Sequence, residues 1–204
     1  MLEALVDLIA PPLCLACTRP GRGLCAVCRA ELPWLSDCCE RCALPRPCGP
    51  PCPAARAAFA AAYAPLAFEG PARALVHALK FRGRPAAAKL MAAQIAANVP
   101  PLEGVLVPAP GRGGHTRLIA RALAVRRELP VHDALVKRSP RQVGQGRTAR
   151  RKGPSIEART AVAGPAIIVD DVHTTGATLH ACARALRSVG AGRVTAVTYA
   201  RTLG

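Results

Sequence analysis

The chain places nine of its ten cysteines within 39 residues, from Cys14 to Cys52, and this is the strongest constraint on how it can fold. Eight of them form close pairs, with two or three residues between the thiols: Cys14 and Cys17, Cys25 and Cys28, Cys39 and Cys42, Cys48 and Cys52. One tight turn presents both sulfurs of a pair to one ion, and two such turns complete a tetrahedral zinc site. The pattern therefore predicts structural zinc, with a disulfide framework as the competing interpretation.

Consecutive pairs predict two separate metal sites. The first would be formed by Cys14, Cys17, Cys25 and Cys28, and the second by Cys39, Cys42, Cys48 and Cys52. An interleaved arrangement and a single filled site remain open alternatives. Cys38 is left over, and we expect a buried or bystander thiol there. Small cysteine-rich segments cannot build a large core and need the metal in order to fold.

A cluster of five prolines between residues 45 and 53 follows the cysteine pairs. Because proline interrupts regular structure, we expect a domain boundary near residue 54. This predicts a cysteine-rich, zinc-ribbon-like domain over residues 1–54 and a second domain over residues 55–204.

The second domain alternates strand-like and helix-like segments. Its clearest part is an apolar strand at 166–169, an amphipathic helix over 178–189 and a Val- and Thr-rich strand over 193–200. A strand–helix–strand unit of this kind implies a parallel sheet covered by helices, which is an α/β fold. Further helices are predicted over 72–81, 86–98 and 118–129, and further strands within 57–68 and at 104–107.

The net charge of the chain limits the kinds of ligand that it is expected to bind. There are 28 Lys and Arg residues against 12 Asp and Glu, a formal net charge of +16. Twelve of the basic residues, but only two acids, lie between residues 108 and 152. This local excess favours a phosphate-bearing ligand or nucleic-acid phosphates over a merely solvated basic surface. Aromatic residues are scarce, so any nucleic-acid binding would tolerate many sequences and depend on salt.

The chain shows no signal for membrane insertion or secretion. No apolar run approaches the 18 residues or more of a membrane span. Residues 1–9 carry two acids and no basic residue, which is typical of a short amphipathic helix and not of a secretory signal. We therefore expect a cytoplasmic protein with reduced thiols.

The most informative motif is the run from Ile167 to Thr178, IIVDDVHTTGAT. A buried strand ends in two carboxylates, a short loop of hydroxyls and glycine follows, and a helix then begins. The carboxyl end of a parallel strand is where α/β sheets bind ligands, and a glycine-containing helix N-terminus can hold a phosphate. Two acids should repel a neighbouring phosphate, so their position is best explained if they accept hydrogen bonds from sugar hydroxyls or face a divalent cation.

This run resembles the phosphoribosyl-pyrophosphate (PRPP) loop of type I phosphoribosyltransferases. The resemblance implies that the catalytic acids Asp170 and Asp171 hold the ribose hydroxyls. It also implies that the loop binds the 5′-phosphate, so the predicted PRPP-binding set is Asp170, Asp171, Val172, Thr174, Thr175, Gly176, Ala177 and Thr178. His173 is interpreted as a spacer, with proton transfer as the alternative.

The combination of this loop with an N-terminal cysteine-pair domain is similar to the ComF family, competence-protein-F-like homologues of phosphoribosyltransferases. Three further segments carry the resemblance: Leu75–Gly83, Val107–Pro110, and Arg141–Gly144 followed by Arg147. The resemblance implies structural Zn²⁺, Mg²⁺ bound with PRPP, transfer of the phosphoribosyl group to an unidentified acceptor with release of pyrophosphate, and a link to DNA uptake. The chain departs from the family pattern at Gly111–Thr116 and at Gly153.

Three basic residues are candidates for contacts on the pyrophosphate side: Lys80, Arg112 and Arg117. Three hypotheses follow. The first is a phosphoribosyltransferase. The second is a non-catalytic module in DNA uptake that binds PRPP or a nucleotide, together with single-stranded DNA or a DNA-uptake protein. The third is a zinc-stabilised scaffold with an inactive site.

Overall fold

The computed structural model describes residues 12–138 and 154–204, which form seven strands and five α-helices. The strands are β1 (Ala61–Tyr63), β2 (Leu66–Ala67), β3 (Val105–Pro108), β4 (Leu135–Lys137), β5 (Ile156–Ala158), β6 (Gly164–His173) and β7 (Ala191–Arg201). The helices are α1 (Ala26–Ala30), α2 (Gly70–Phe81), α3 (Ala86–Asn98), α4 (His115–Arg127) and α5 (Ala177–Arg187), and a 3₁₀ turn (Arg112–Gly114) precedes α4.

Five of the strands form one parallel sheet, which confirms the predicted α/β class. Its order is β1 and β2 at one edge, then β7, β6 and β3. β1 and β2 pair with successive parts of β7, so that Tyr63 lies opposite Val197 and Leu66 opposite Ala200. β4 and β5 form a separate antiparallel pair.

Helices cover both faces of the sheet because alternate side chains of the central strand point to opposite sides. Ile167 and Val169 of β6 belong to a core that includes buried residues of α2, α3 and α4. Ala166 and Ile168 belong to a second core, with Leu179 and other apolar residues of α5.

The two cysteine clusters join opposite cores. Cys14 and Cys28 are buried in the core that contains α2, whereas Cys42 is buried in the core that contains α5. Between the clusters, residues 33–40 run along the edge of the sheet, where Trp34 bridges to Leu66 and the N–H of Leu35 donates to the carbonyl of Pro65. Each cluster therefore shares apolar packing with the sheet.

The structure also corrects one predicted boundary. The strand that carries the two acids continues through them to His173, because β7 extends far enough for His173 to pair with Arg201. Three features named above lie outside the described residues: the helix over residues 1–9, the segment Arg141–Arg147, and Gly153. Among the residues described, no helix has the length and apolarity needed to cross a membrane.

Gly104, which precedes β3, provides a test of the sheet packing. Its φ is +124°, and a Cβ there would lie 2.3 Å from the carbonyl oxygen of Pro165. We expect Gly104→Ala to lower the free energy of unfolding by about 3 kcal/mol, since backbone strain is added to a clash with a backbone atom. Gly83→Ala is the matched control, because Gly83 has φ +60° but open space around it, and its cost should be about 1 kcal/mol. Urea denaturation measures both, and equal losses would contradict the packing described.

Candidate functional site

Two loops meet at the carboxyl edge of the sheet, one after β3 and one after β6. The first runs from Ala109 to Gly114 and leads into α4, and the second runs from Thr174 to Gly176 and leads into α5. They lie side by side because β3 and β6 are neighbours, with Pro108 opposite Val169. Residues from both loops line one cleft of about 610 Å³.

Both helices begin at a glycine in the left-handed conformation. Gly114 precedes α4 with φ +68°, Gly176 precedes α5 with φ +80°, and neither glycine has a side chain that could cap the helix it precedes. The first amide groups of a helix have no partner within the helix and carry partial positive charge, so they favour anions. The cleft therefore lies beside two helix N-termini that suit phosphate groups.

The side chain of Thr116 fixes the shape of the first loop. Its buried hydroxyl donates to the carbonyl oxygen of Ala109 at 2.7 Å. Gly113 has φ +79°, and a Cβ there would lie 2.5 Å from Nε2 of His115. Glycine is thus required where this loop folds closely over the start of α4.

Asp170 and Asp171 line the same cleft at the end of β6, together with Val172. Lys80 at the end of α2 holds Asp171, with Nζ 2.7 Å from Oδ1. Asp171 is almost fully buried, and its N–H donates to Oδ1 of Asp170 at 2.9 Å. One lysine therefore faces two adjacent carboxylates.

This arrangement raises the pKa of Asp170. Its burial, and next the charge of Asp171, raise its pKa from 3.8 to about 7, although the N–H of Asp171 and the charge of Lys80 act in the opposite direction. A carboxyl group in this state gains from any ligand that brings a hydroxyl donor or a cation.

The predicted phosphate-loop residues divide between two sides of the loop. Thr174 and Thr178 line the acid-containing cleft. Thr175, Gly176 and Ala177 line a cavity of about 350 Å³ on the other side, next to Cys42 and residues 53–57. The N–H of Ala177 makes a long hydrogen bond of 3.4 Å to Oγ1 of Thr175.

His173 faces that second cavity and not the acid-containing cleft. Its ring is buried and meets Phe59 edge-on, and its Nδ1 has no hydrogen-bond partner among the described residues. Burial, with the charge of Arg201, lowers its pKa to about 4. The imidazole is therefore neutral at physiological pH, and it packs against the loop on the side of the second cavity.

The three predicted basic residues lie in different environments. Lys80 is in the cleft but paired with Asp171. Arg112 lines this cleft and also an adjoining cleft of about 820 Å³. Arg117 lines only the adjoining cleft, where its Nε contacts Asp133 at 2.8 Å.

The adjoining cleft is strongly basic. Arg138 lines it and is paired with Glu157 at 2.7 Å. Arg112, Lys137 and Arg159 also line it, and none of these three forms an ion pair with any described residue. Its charge favours a polyanion.

The cysteines converge in the two predicted groups. Within each group the four sulfur atoms lie within 4.8 Å of one another. The Cys17 and Cys25 sulfurs are 3.7 Å apart, and the Cys39 and Cys52 sulfurs 4.0 Å. Tetrahedral zinc with Zn–S bonds of about 2.3 Å separates its sulfurs by about 3.8 Å, so both groups fit zinc. Within the described residues, His, Cys, Asp and Glu form no other such group of three or more.

One thiol of each cluster ionises readily, whereas burial raises the pKa of Cys28 in the first cluster and of Cys42 in the second. Burial opposes the ionisation of Cys14, but hydrogen bonds from the N–H groups of Cys17 and Cys25 outweigh it and lower its pKa to about 6. Burial likewise opposes the ionisation of Cys39, and the N–H groups of Arg41 and Cys42 lower its pKa to about 7. Zinc binds thiolates, so each cluster offers at least one ready ligand.

Two residues of the site were not found from the sequence. Phe81 lines the cleft with 76% of its surface exposed, and Arg201 donates from the end of β7 to the carbonyls of His173 and Thr174. An arginine at the end of an apolar strand is unusual and could have drawn attention to Arg201. The partners of this side chain, however, depend on how β6 and β7 pair.

Comparison with protein-family models and with curated proteins finds no match. Among solved structures, the chain is similar to an allosteric regulatory enzyme of purine biosynthesis (21% identity, TM-score 0.41, 54% of this chain and 25% of that chain). It is also similar to the glutamine PRPP amidotransferase from B. subtilis (18% identity, TM-score 0.40, 54% of this chain and 26% of that chain). A third similar structure is the purine phosphoribosyltransferase from Pyrococcus horikoshii Ot3 (17% identity, TM-score 0.37, 59% of this chain and 84% of that chain). The match spans about a quarter of the first two chains. With TM-scores this low, function has to be inferred from the residues of the cleft.

The cysteine geometry predicts two zinc ions per chain, which native mass spectrometry can count. Cys39→Ser should reduce the count to one, because it removes a ligand from the second cluster only. Cys38→Ser is the matched control and should retain both ions, since Cys38 belongs to neither cluster. An unchanged count in Cys39→Ser would refute the assignment of the second cluster.

The raised pKa of Asp170 predicts a dependence of stability on pH. The unfolded chain ionises this group near pH 4 and the folded protein only near pH 7, so wild-type stability falls as the pH rises through this interval. Asp170→Asn keeps the oxygen that accepts from Asp171 and removes the charge. Without Mg²⁺, its melting temperature should exceed that of wild type by a margin that grows from pH 5.5 to pH 7.5 and then levels off. Asp37→Asn, in an exposed ion pair with Arg46, should show no such growth.

Proposed function

We propose that this protein is a PRPP-binding, Mg²⁺-dependent phosphoribosyltransferase of the ComF family, which transfers the phosphoribosyl group to an acceptor and releases pyrophosphate. The observation that carries the proposal is the cleft itself. Two glycine-led helix N-termini, each suited to phosphate, lie on either side of a buried and a half-buried carboxyl group, a pair suited to sugar hydroxyls. PRPP combines these groups in the same order: a 5′-phosphate, a ribose and a pyrophosphate.

Each end of the ligand has its own set of residues in this proposal. The loop from Thr174 to Thr178 binds the 5′-phosphate through its amides and hydroxyls, as anions are bound at helix N-termini. Asp170 and Asp171 accept hydrogen bonds from the ribose hydroxyls. Arg112 and the amides at the start of α4 face the pyrophosphate, and Lys80 joins them when the ligand takes its place on Asp171. Arg117 has a supporting role, because Asp133 already neutralises it.

Mg²⁺ suits this cleft only as a partner of the ligand. Among the described residues, no third acidic or imidazole group lies close enough to the two carboxylates to complete a metal site, and Mg²⁺ commonly completes its octahedron with substrate phosphates and waters. When bound, Mg²⁺ would neutralise part of the pyrophosphate charge. The protein's own contribution is to orient the ribose and to stabilise the charge of the leaving group.

The reaction proposed is a substitution at C1 of the ribose. The C1–O bond to pyrophosphate breaks, and its electron pair leaves with the pyrophosphate oxygen. A lone pair of the acceptor forms the new bond to C1, and the acceptor loses a proton. Because the leaving group is highly charged, most of the rate enhancement comes from positioning and from the surrounding cations.

The remaining features are those proposed for the ComF family. Zn²⁺ in the two cysteine clusters is structural, residues 1–54 and 55–204 are the two domains, and the protein works in the cytoplasm in a process linked to DNA uptake. One observation favours the alternative function of a non-catalytic module that binds PRPP and single-stranded DNA. In the adjoining cleft, Arg112, Lys137 and Arg159 have no ionic partner among the residues that the structure describes, which suits nucleic-acid phosphates.

Isothermal titration of Mg²⁺–PRPP into the full-length protein tests the binding proposal. We expect Asp170→Asn/Asp171→Asn to weaken binding by about 10-fold to 100-fold, because hydrogen bonds from the ribose hydroxyls to charged acceptors are lost. Glu103→Gln, an exposed acid with no place in the cleft, is the control and should bind as wild type does. Failure of the wild-type protein to bind Mg²⁺–PRPP would reject the proposal.

Pyrophosphate release separates the enzyme from the module. Release with one member of a panel of nucleobases and amines supports the transferase. Binding of PRPP without release by any of them, together with salt-dependent binding of single-stranded DNA, supports the alternative.

A further inference from the structure

Arg201 is a buried arginine whose hydrogen bonds go to backbone carbonyls and to a hydroxyl, and not to a carboxylate. Its Nε donates to the carbonyl of Cys42 at 3.0 Å, and its Nη1 donates to the carbonyl of His173 at 2.8 Å and to that of Thr174. Nη1 also reaches the carbonyl and the hydroxyl of Thr202. One side chain therefore joins the turn that holds the second cysteine cluster to the start of the phosphate loop.

Among the described residues, no other side chain bonds both to the turn around Cys42 and to the carbonyls of His173 and Thr174. A cavity of about 350 Å³ separates the cysteine-rich segment at residues 53–57 from the loop at residues 175–177, and Arg201 lies on its wall. Nearby, the N–H of Ala58 donates to Nδ1 of His180, and Phe59 packs against His173. The first of these contacts holds α5 and the second holds the base of the loop, so neither fixes the carbonyl of Thr174.

The energetics make this connection strong. A buried guanidinium that pairs with no carboxylate among the described residues depends on its hydrogen-bond acceptors, because an unsatisfied buried charge is costly. The carbonyls of Cys42, His173 and Thr174 are therefore held in one arrangement. Burial and the hydrogen bond from the N–H of Cys42 to the carbonyl of Cys39 already restrain this turn, and a metal ion held by its thiols would restrain it further.

We propose that Arg201 is a positioning residue through which zinc at the second cysteine cluster sets the affinity of the loop from Thr174 to Thr178 for phosphate. The proposal rests on the phosphate role assigned to this loop above. Because coupling between two sites is reciprocal, bound phosphate also tightens the binding of zinc by the same factor.

The first test measures binding of ribose 5-phosphate, which has the phosphate and ribose but no pyrophosphate, to full-length zinc-loaded protein by calorimetry. Arg201→Met should weaken binding about 10-fold, within the range usual for coupled sites. Arg201→Lys retains a donor and should recover part of the loss. Arg127→Met is the matched control, since Arg127 also donates to two carbonyls, those of Ala96 and Val99, far from the loop, and its affinity should be unchanged.

The second test is a double-mutant cycle with the metal. Cys48→Ser removes a ligand of the second cluster and should weaken ribose 5-phosphate binding about as much as Arg201→Met, whereas Cys38→Ser should have no effect. In the Arg201→Met background, Cys48→Ser should add little further loss, because the connection is already broken. Independent, multiplying losses would overturn the proposal, and so would a normal affinity in Cys48→Ser.

Hydrogen exchange of the ligand-free proteins provides a readout that does not depend on ligand binding. Amides 174–178 should exchange faster in Arg201→Met, in Arg201→Lys to a smaller extent, and in Cys48→Ser, while amides of α3 keep their wild-type rates. Unchanged exchange in the loop would contradict the coupling even if ribose 5-phosphate binds. If the variants exchange faster but the wild-type protein binds no ribose 5-phosphate, the result supports the coupling and rejects the phosphate role of the loop.

Discussion

The parallel pairing of β6 with β3 on one side and β7 on the other is the interaction on which both the core and the cleft depend. Its register places Ile167 and Val169 in one core and Ile168 in the other. The same register brings Asp170 and Asp171 to the carboxyl edge of the sheet, next to the loop that follows β3. A slip of one residue would exchange the two cores and reverse the faces of the sheet on which the two acids lie.

The pair of carboxyl groups holds more negative charge than Lys80 alone neutralises. Lys80 pairs with Asp171, and the neighbouring carboxyl group of Asp170 is left with a raised pKa. Such an arrangement costs stability and is retained where a ligand relieves it. The helix N-termini on either side favour anions, so the acids repel a bare phosphate but suit a phosphate that carries hydroxyl groups or a cation. This combination favours a sugar phosphate over inorganic phosphate alone.

The features that could be predicted from the sequence are those set by neighbours along the chain. The cysteine pairs present their ligands within single turns, and the run from Ile167 to Thr178 contains strand, acids, loop and helix in order, so both sites could be located. Contacts between distant residues could not be predicted in this way. The partner of Lys80 lies 91 residues away in Asp171, and Asp133 removes Arg117 from the candidate cleft. The end of β6 was misjudged for the same reason, since the length of its neighbour β7 decides where pairing stops.

The positions of the two cysteine clusters link metal binding to both sides of the cleft. The first cluster belongs to the core that contains α2, the helix that carries Lys80 to Asp171. The second belongs to the core that contains α5, and through Arg201 it contacts the loop that precedes this helix. A metal bound in the first cluster would therefore stabilise the wall of the cleft that carries Lys80, and a metal bound in the second would stabilise the wall formed by the loop after β6. A cysteine-rich segment that wraps around the edge of the sheet in this way contacts both walls, so metal binding would stabilise the cleft as well as the segment itself.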